Sequence, residues 1–182
     1  MAPTATPLRT RPALDRPGLD RLVGRIHEGV DLAGPARRTA FAVADLMRAE
    51  MPGVDVLTPA ERVGDPTTYS RVVLHTEERL SIIAVVWRPG QLTEIHDHIA
   101  WCTVGVIQGV EFETLYRDHG DHLSEIGRAA NGVGDVSGFA PPGDIHMVHN
   151  TGDETAISLH VYGADLSVSP SSVRREYHLP VR

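Results

Sequence analysis

The stretch PGQLTEIHDHIAWCTVGVIQG, residues 89–109, decides how the rest of the chain is read. It opens on a Pro-Gly turn and closes on Gly109, and His96 and His98 stand two apart between them. Residues two apart on a strand project from the same face, so both imidazoles can bind one metal ion. Asp97 takes the opposite face and is not expected to be a ligand. A His-x-His pair alone is equally consistent with the solvated end of a strand, so the flanking sequence has to choose.

On both sides of this stretch, short β-branched and apolar runs alternate with Gly, Pro and Asp turns. The pattern predicts strands at 68–75, 80–87, 92–98, 101–107, 110–117, 124–130, 145–149 and 155–162. Evenly spaced short strands read as a mainly β sandwich or small barrel, here about residues 67–165. Two amphipathic helices precede it within residues 19–53. Leu19, Leu22, Val23, Ile26 and Val30 mark the first, ended by Gly34-Pro35. Ala40, Phe41, Val43, Ala44, Leu46 and Met47 mark the second, ended by Pro52-Gly53. Residues 1–18, with proline at 3, 7, 12 and 17, read as a flexible leader. Residues 166–182 read as a polar tail over the barrel, and 19–182 as a single domain.

Composition removes several classes of function. The 182 residues include 17 arginines and no lysine, so Schiff-base chemistry and a Walker-type phosphate lysine are excluded. One cysteine excludes an internal disulfide framework and a multi-cysteine zinc site. A net charge of −7 argues against nucleic-acid binding. The charge is uneven: residues 1–38 hold seven arginines against four acids, the remainder ten against twenty, which reads as a solvated basic helix face. No apolar run is long enough to span a membrane, and the start of the chain lacks an apolar signal core, so the cytoplasm is the expected compartment. Monomer and weak dimer both stay open. Ten histidines are the feature left to explain.

Further residues extend the histidine pair. Gly90 lies six before His96 and Gly109 eleven after His98; downstream come Pro141, Gly143, His146 and Asn150. These resemble the two motifs of the cupin superfamily, G-x5-H-x-H-x3/4-E-x6-G and P-x-G-x2-H-x3-N. The second motif's leading glycine, if Gly134, lies one residue too far away. The resemblance implies a double-stranded β-helix barrel with N-terminal helices, and it supplies His146 as third ligand, which spacing alone could not choose over His149. Cys102 stands where most metal cupins carry a glutamate ligand. Three neutral imidazoles leave the metal its full charge and open positions for an anionic substrate and oxygen, although such a set can equally hold a hydrolytic zinc ion.

The closing strand ETAISLHVYG puts Ser158, His160 and Tyr162 on one face and Ile157, Leu159 and Val161 on the other. A polar stripe on a core strand is costly unless its members satisfy one another, and a Ser158–His160–Tyr162 chain would do so. With this stripe the sequence resembles the cysteine dioxygenase family, the thiol dioxygenases of the cupin superfamily. The resemblance implies iron(II) held by His96, His98 and His146, a catalytic relay of Ser158, His160 and Tyr162, and a Cys102–Tyr162 pair open to a thioether crosslink. The loop from His98 to Cys102 is one residue shorter than in animal members and matches bacterial ones, many of which have glycine at the Cys102 position.

The family's carboxylate anchor lies in a Tyr-x-Arg segment, matched by Tyr69-Ser70-Arg71. Arg71 beside Val72 and Val73 would be buried and need an anion, unless it stands on an exposed edge strand. Arg174 is a second candidate anchor, and Trp101 a candidate pocket wall or core residue. His27, His75, His119, His122 and His178 carry no assigned role. The implied reaction oxidises L-cysteine with O2 to cysteine sulfinic acid, with 3-mercaptopropionate or another small thiol as alternative substrate. A non-redox metal cupin, an isomerase or a small-molecule sensor, is the alternative from another class.

Overall fold

A computed structural model describes residues 14–31, 34–169 and 171–182. Helices α1 (Leu19–Asp31) and α2 (Ala36–Glu50) are followed by ten strands: β1 (Ser70–Glu77), β2 (Leu80–Trp87), β3 (His96–His98), β4 (Cys102–Gln108), β5 (Glu111–Asp118), β6 (Leu123–Asn131), β7 (Val136–Phe139), β8 (His146–His149), β9 (Ala156–Tyr162) and β10 (Val173–Glu176). They form two antiparallel five-stranded sheets, β1-β2-β9-β4-β7 and β10-β3-β8-β5-β6. This is the mainly β double-stranded β-helix that the motifs imply, preceded by helices.

The first sheet separates two cores, and its strands are accordingly apolar on both faces. In β2, Leu80, Ile82, Ala84 and Val86 pack toward the helices, while Ile83, Val85 and Trp87 pack into the space between the sheets. In β9, Ile157, Leu159 and Val161 join the helix-side core. Helix α2 lies close on the sheet: Thr103 Oγ1 donates to the Ala40 carbonyl at 3.0 Å. A Cβ at Gly138 would stand 2.6 Å from that same carbonyl oxygen, so this position must be glycine for the helix to seat. The motif glycines Gly90, Gly109 and Gly143 adopt positive φ of 84°, 68° and 97°, the left-handed region that favours glycine.

The structure departs from expectation at the ends of the barrel. Of the expected strand 92–98 only His96–His98 pairs continuously. Strands β7 and β10 lie outside the expected set, and β10 arises within the expected tail, pairing antiparallel with β3. Of the expected leader, residues 1–13 lie outside the described residues. Arg16 is fixed: its guanidinium clamps the Glu61 carboxylate at 2.8 and 3.1 Å and donates to the Val56 carbonyl at 2.8 Å.

Candidate active site

The space between the sheets collects polar residues from both sheets. His96 and His98 come from β3 and His146 from β8, with His96 directly opposite His146 in register. The three residues are 6%, 2% and 3% exposed. Their rings lie 4.7–5.0 Å apart, centroid to centroid. Burial, then the neighbouring His146 and His98 rings, lower the His96 pKa to about 3; burial likewise lowers that of His98. Both are therefore neutral, the form a metal needs.

Each ring is oriented from behind through Nδ1. His96 Nδ1 meets the Glu94 carbonyl at 2.9 Å, His98 Nδ1 the Asp144 carboxylate at 3.1 Å, and His146 Nδ1 the Glu113 carboxylate at 2.6 Å. A ring whose Nδ1 donates outward keeps Nε2 as a lone pair aimed inward. His146 Nε2 is buried without any hydrogen-bond partner, a costly state for a polar atom that a metal ion would relieve. The ligand atoms of the trio all lie within 4.8 Å of one another. The donor set thus fits a divalent metal. The carboxylates absent from the ligand shell stand one shell further out, as Asp144 and Glu113.

Facing the trio, β9 carries the expected polar stripe into the cavity. Ser158 Oγ lies 2.9 Å from His160 Nε2, and Tyr162 Oη lies 3.2 Å from His160 Nδ1. Glu111 of β5, which the sequence reading did not select, extends this chain: Ser158 donates to its carboxylate. Trp87 Nε1 donates to Ser158 Oγ at 3.1 Å. These partners fix the direction of the chain. An ionised carboxylate only accepts and an indole N–H only donates, so the one Ser158 proton goes to Glu111. His160 Nε2–H must then donate to Ser158, leaving His160 Nδ1 to accept the Tyr162 proton. Burial alone would raise the Glu111 pKa; hydrogen bonding to His160 and to the Ser158 hydroxyl outweighs it and keeps the Glu111 pKa below the usual carboxylate value. Burial raises Tyr162 above the usual phenol range.

Cys102 on β4 sits directly opposite Tyr162 on β9. The thiol is fully buried, and burial, reinforced by Glu111, raises its pKa. Tyr69 and Arg71 line the cavity together with Trp87, Thr93, His160, Tyr162 and the tail residues Ser171, Ser172 and Val173. Tyr69 and Trp87 rings lie 4.7 Å apart.

Three readings that the sequence left open are decided by the structure. Arg71 is exposed rather than buried, because β1 is an edge strand; its charge nevertheless reaches Tyr162. Trp101 does not line the cavity: it neighbours Cys102, so strand alternation turns it to the helix-side core, against Gly163. Trp87 is the tryptophan of the cavity wall. Arg174 is committed to Asp97, which also accepts from Tyr177 Oη at 2.9 Å. Asp97 thus faces away from the metal trio, as its position between the two histidines predicts. Asn150, the last residue of the second motif, is a loop staple: its Nδ2 donates to the carbonyls of Trp87 and Glu154 at 2.9 and 2.8 Å.

The family model for cysteine dioxygenase type I matches residues 59–171, more than half of the chain. The chain belongs to the cysteine dioxygenase type I family. Helices α1 and α2 lie outside the segment matched to that family. Among solved structures, the chain is similar to the TT1209 protein of Thermus thermophilus, at 22% identity and TM-score 0.44, over 59% of this chain and 96% of that one. It is similar to Bacillus subtilis oxalate decarboxylase at 21% identity and TM-score 0.46, over 56% of this chain and 27% of that one. An uncharacterised protein with a double-stranded β-helix domain from Klebsiella pneumoniae matches at 22% identity and TM-score 0.44, over 60% of this chain and 89% of that one. No helix among the described residues is long and apolar enough to cross a membrane.

Proposed function

We propose that this member of the family is a cytoplasmic non-haem iron(II) thiol dioxygenase that adds both atoms of O2 to the sulfur of L-cysteine, giving cysteine sulfinic acid. The observation that carries the reading is the pairing of a carboxylate-free histidine trio with a directional Glu111–Ser158–His160–Tyr162 chain across one cavity. Iron(II) held by His96, His98 and His146 would supply the centre that binds the thiolate and activates dioxygen.

The chain's own residues do the rest. Arg71 at the cavity mouth pairs with the substrate carboxylate and sets the position of the sulfur. The Tyr69–Trp87 pair and the side chains of Val85, Val148 and Val173 wall the site against water. At rest, the Tyr162 proton points at His160 Nδ1 and the phenol oxygen faces the cavity as an acceptor. The proton that the substrate thiol gives up on becoming a thiolate passes to His160, whose imidazolium Glu111 stabilises through Ser158, and turns Nδ1 into a donor. Tyr162 O–H is then free to donate into the cavity. The relay thereby stores a proton and presents it on the substrate side. Cys102 and Tyr162 are the pair we assign to a thioether; forming it removes one hydrogen from each, with dioxygen as the acceptor.

The test is oxygen uptake by iron(II)-loaded protein, with mass analysis of the product. L-cysteine should give one sulfinate per O2, faster than 3-mercaptopropionate. Absence of thiol-dependent uptake would overturn the reading, and faster turnover of 3-mercaptopropionate would overturn the substrate.

A further inference from the structure

A second histidine cluster lies outside the cavity, between α1 and β1. His27 Nε2 stands 2.8 Å from Glu77 Oε1, and His75 Nε2 stands 3.3 Å from Glu77 Oε2. The ligand atoms of the three residues all lie within 4.8 Å of one another. His27 is on α1, while His75 and Glu77 are two apart on β1, so three donors from two elements converge on one point.

An irregularity of the backbone places them there. Along β1, Val72 pairs with Ala84 and Val73 with Ile83, but His75 pairs with Ile82, so Leu74 is an extra residue. Cross-strand partners share a face, and Ala84, Ile82 and Leu80 all belong to the helix-side core. Without the bulge, Thr76 would follow Val72 and Leu74 onto that face. With it, His75 and Glu77 turn toward the helices, where His27 waits, and Thr76 turns away to meet Ser81 Oγ at 3.0 Å. Bulges are used to re-aim side chains in this way. Turning two hydrophilic residues onto an otherwise apolar face is unfavourable unless they gain a partner there.

We propose that His27, His75 and Glu77 form a peripheral zinc-class metal site that staples α1 to β1. Two imidazoles and one carboxylate are a standard zinc donor set, with the fourth position left to water. The three side chains are 37%, 29% and 32% exposed, which admits an ion from solvent and leaves room for that water. By the order of divalent affinities, such a site takes zinc in preference to iron(II), so two different metals can occupy one chain. The ion would reinforce the Arg79–Asp31 contact of 2.9 Å between the end of α1 and the β1–β2 turn. It would anchor the helix layer to the strand that carries Arg71.

The test separates this site from the cavity. Metal-free full-length protein carrying His96→Ala and His146→Ala, its fold checked by circular dichroism, is titrated with zinc alone. We expect one equivalent bound and a rise in melting temperature on binding. Adding His27→Ala and His75→Ala should abolish both. Because those changes can loosen α1, Glu77→Gln is the second variant: it keeps the shape of the carboxylate and one acceptor oxygen, removes the charge, and should weaken zinc at least tenfold. Failure of the parent variant to bind zinc would overturn the proposal. So would zinc binding that is indifferent to Glu77→Gln, as capture by the stacked His119–His122 pair would be.

Discussion

Replacing Glu111 with glutamine should uncouple activity from stability. Glutamine fills the same volume and can still accept from Ser158, so the packing around Trp87 and His160 is retained. It removes the one property that fixes the direction of the chain, because an amide can donate as well as accept. A hydrogen bond to a charged group contributes about 1.5–3 kcal/mol, against about 0.5–1.5 for a neutral one. The difference, roughly 1–1.5 kcal/mol, is the bias that keeps the Tyr162 O–H directed at His160 and that stabilises the imidazolium when the relay takes up a proton. At about 1.4 kcal/mol per decade, kcat/KM should fall about tenfold. Folding stability should hold or rise, since a fully buried carboxylate carries a desolvation cost that the amide does not. Oxygen uptake and thermal melts on the same preparation measure both. Unchanged kcat/KM would refute the directional relay, and a fall in activity matched by a fall in melting temperature would make Glu111 a packing residue.

Arg71→Gln should raise KM for L-cysteine about 10–100-fold, the cost of losing a charged hydrogen-bond partner, and leave cysteamine, which has no carboxylate, nearly unaffected. An equal loss on both thiols would remove Arg71 from substrate binding. Intact mass should fall by about 2 Da in protein that has turned over in oxygen, and should not fall in Cys102→Ala, since only a covalent bond changes mass. Away from the site, the Arg16 hydrogen bond lowers the Glu61 pKa from 4.5 to about 2, so its contribution is fully present above pH 4.5 and is lost as pH falls toward 2. Glu61→Gln should therefore cost about 1–2 kcal/mol at pH 7, allowing for solvent screening, and almost nothing at pH 2, by urea unfolding.

What could be read from the sequence follows from how strongly each element states its period. Strand β9 is unambiguous because its two faces differ in every residue, and the same alternation supplies the stripe of Ser158, His160 and Tyr162. Strand β7 has four half-buried residues including Gly138, and β10 reads Val-Arg-Arg-Glu, so neither carries an apolar pattern; pairing to a neighbour creates them. Glu111 and Glu113 share a face by the same two-residue spacing that singled out His96 and His98. Two glutamates on a strand ordinarily mark the solvent side, and only closure of the second sheet turns them inward. Trp101 and Trp87 illustrate a local limit. Position next to Cys102 in the chain suggested proximity to the cavity, whereas alternation along a strand sends neighbours to opposite faces. Leu74 could not be foreseen, because a bulge is a property of register between two strands.

Strand β10 also has a bearing on biosynthesis. Val173, Arg175 and Glu176 pair with His98, Asp97 and His96, and Ser171, Ser172 and Val173 close one wall of the cavity. All three histidines of the trio are therefore synthesised before the segment that encloses them. A nascent chain truncated after β9 presents His96 and His98 on β3 with one edge unpaired and open to solvent, while His146 on β8 keeps both its neighbours. A metal taken by the trio could then enter before or after residues 171–176 close the wall, so the rate of chain growth would bear on which ion is held, as well as affinity.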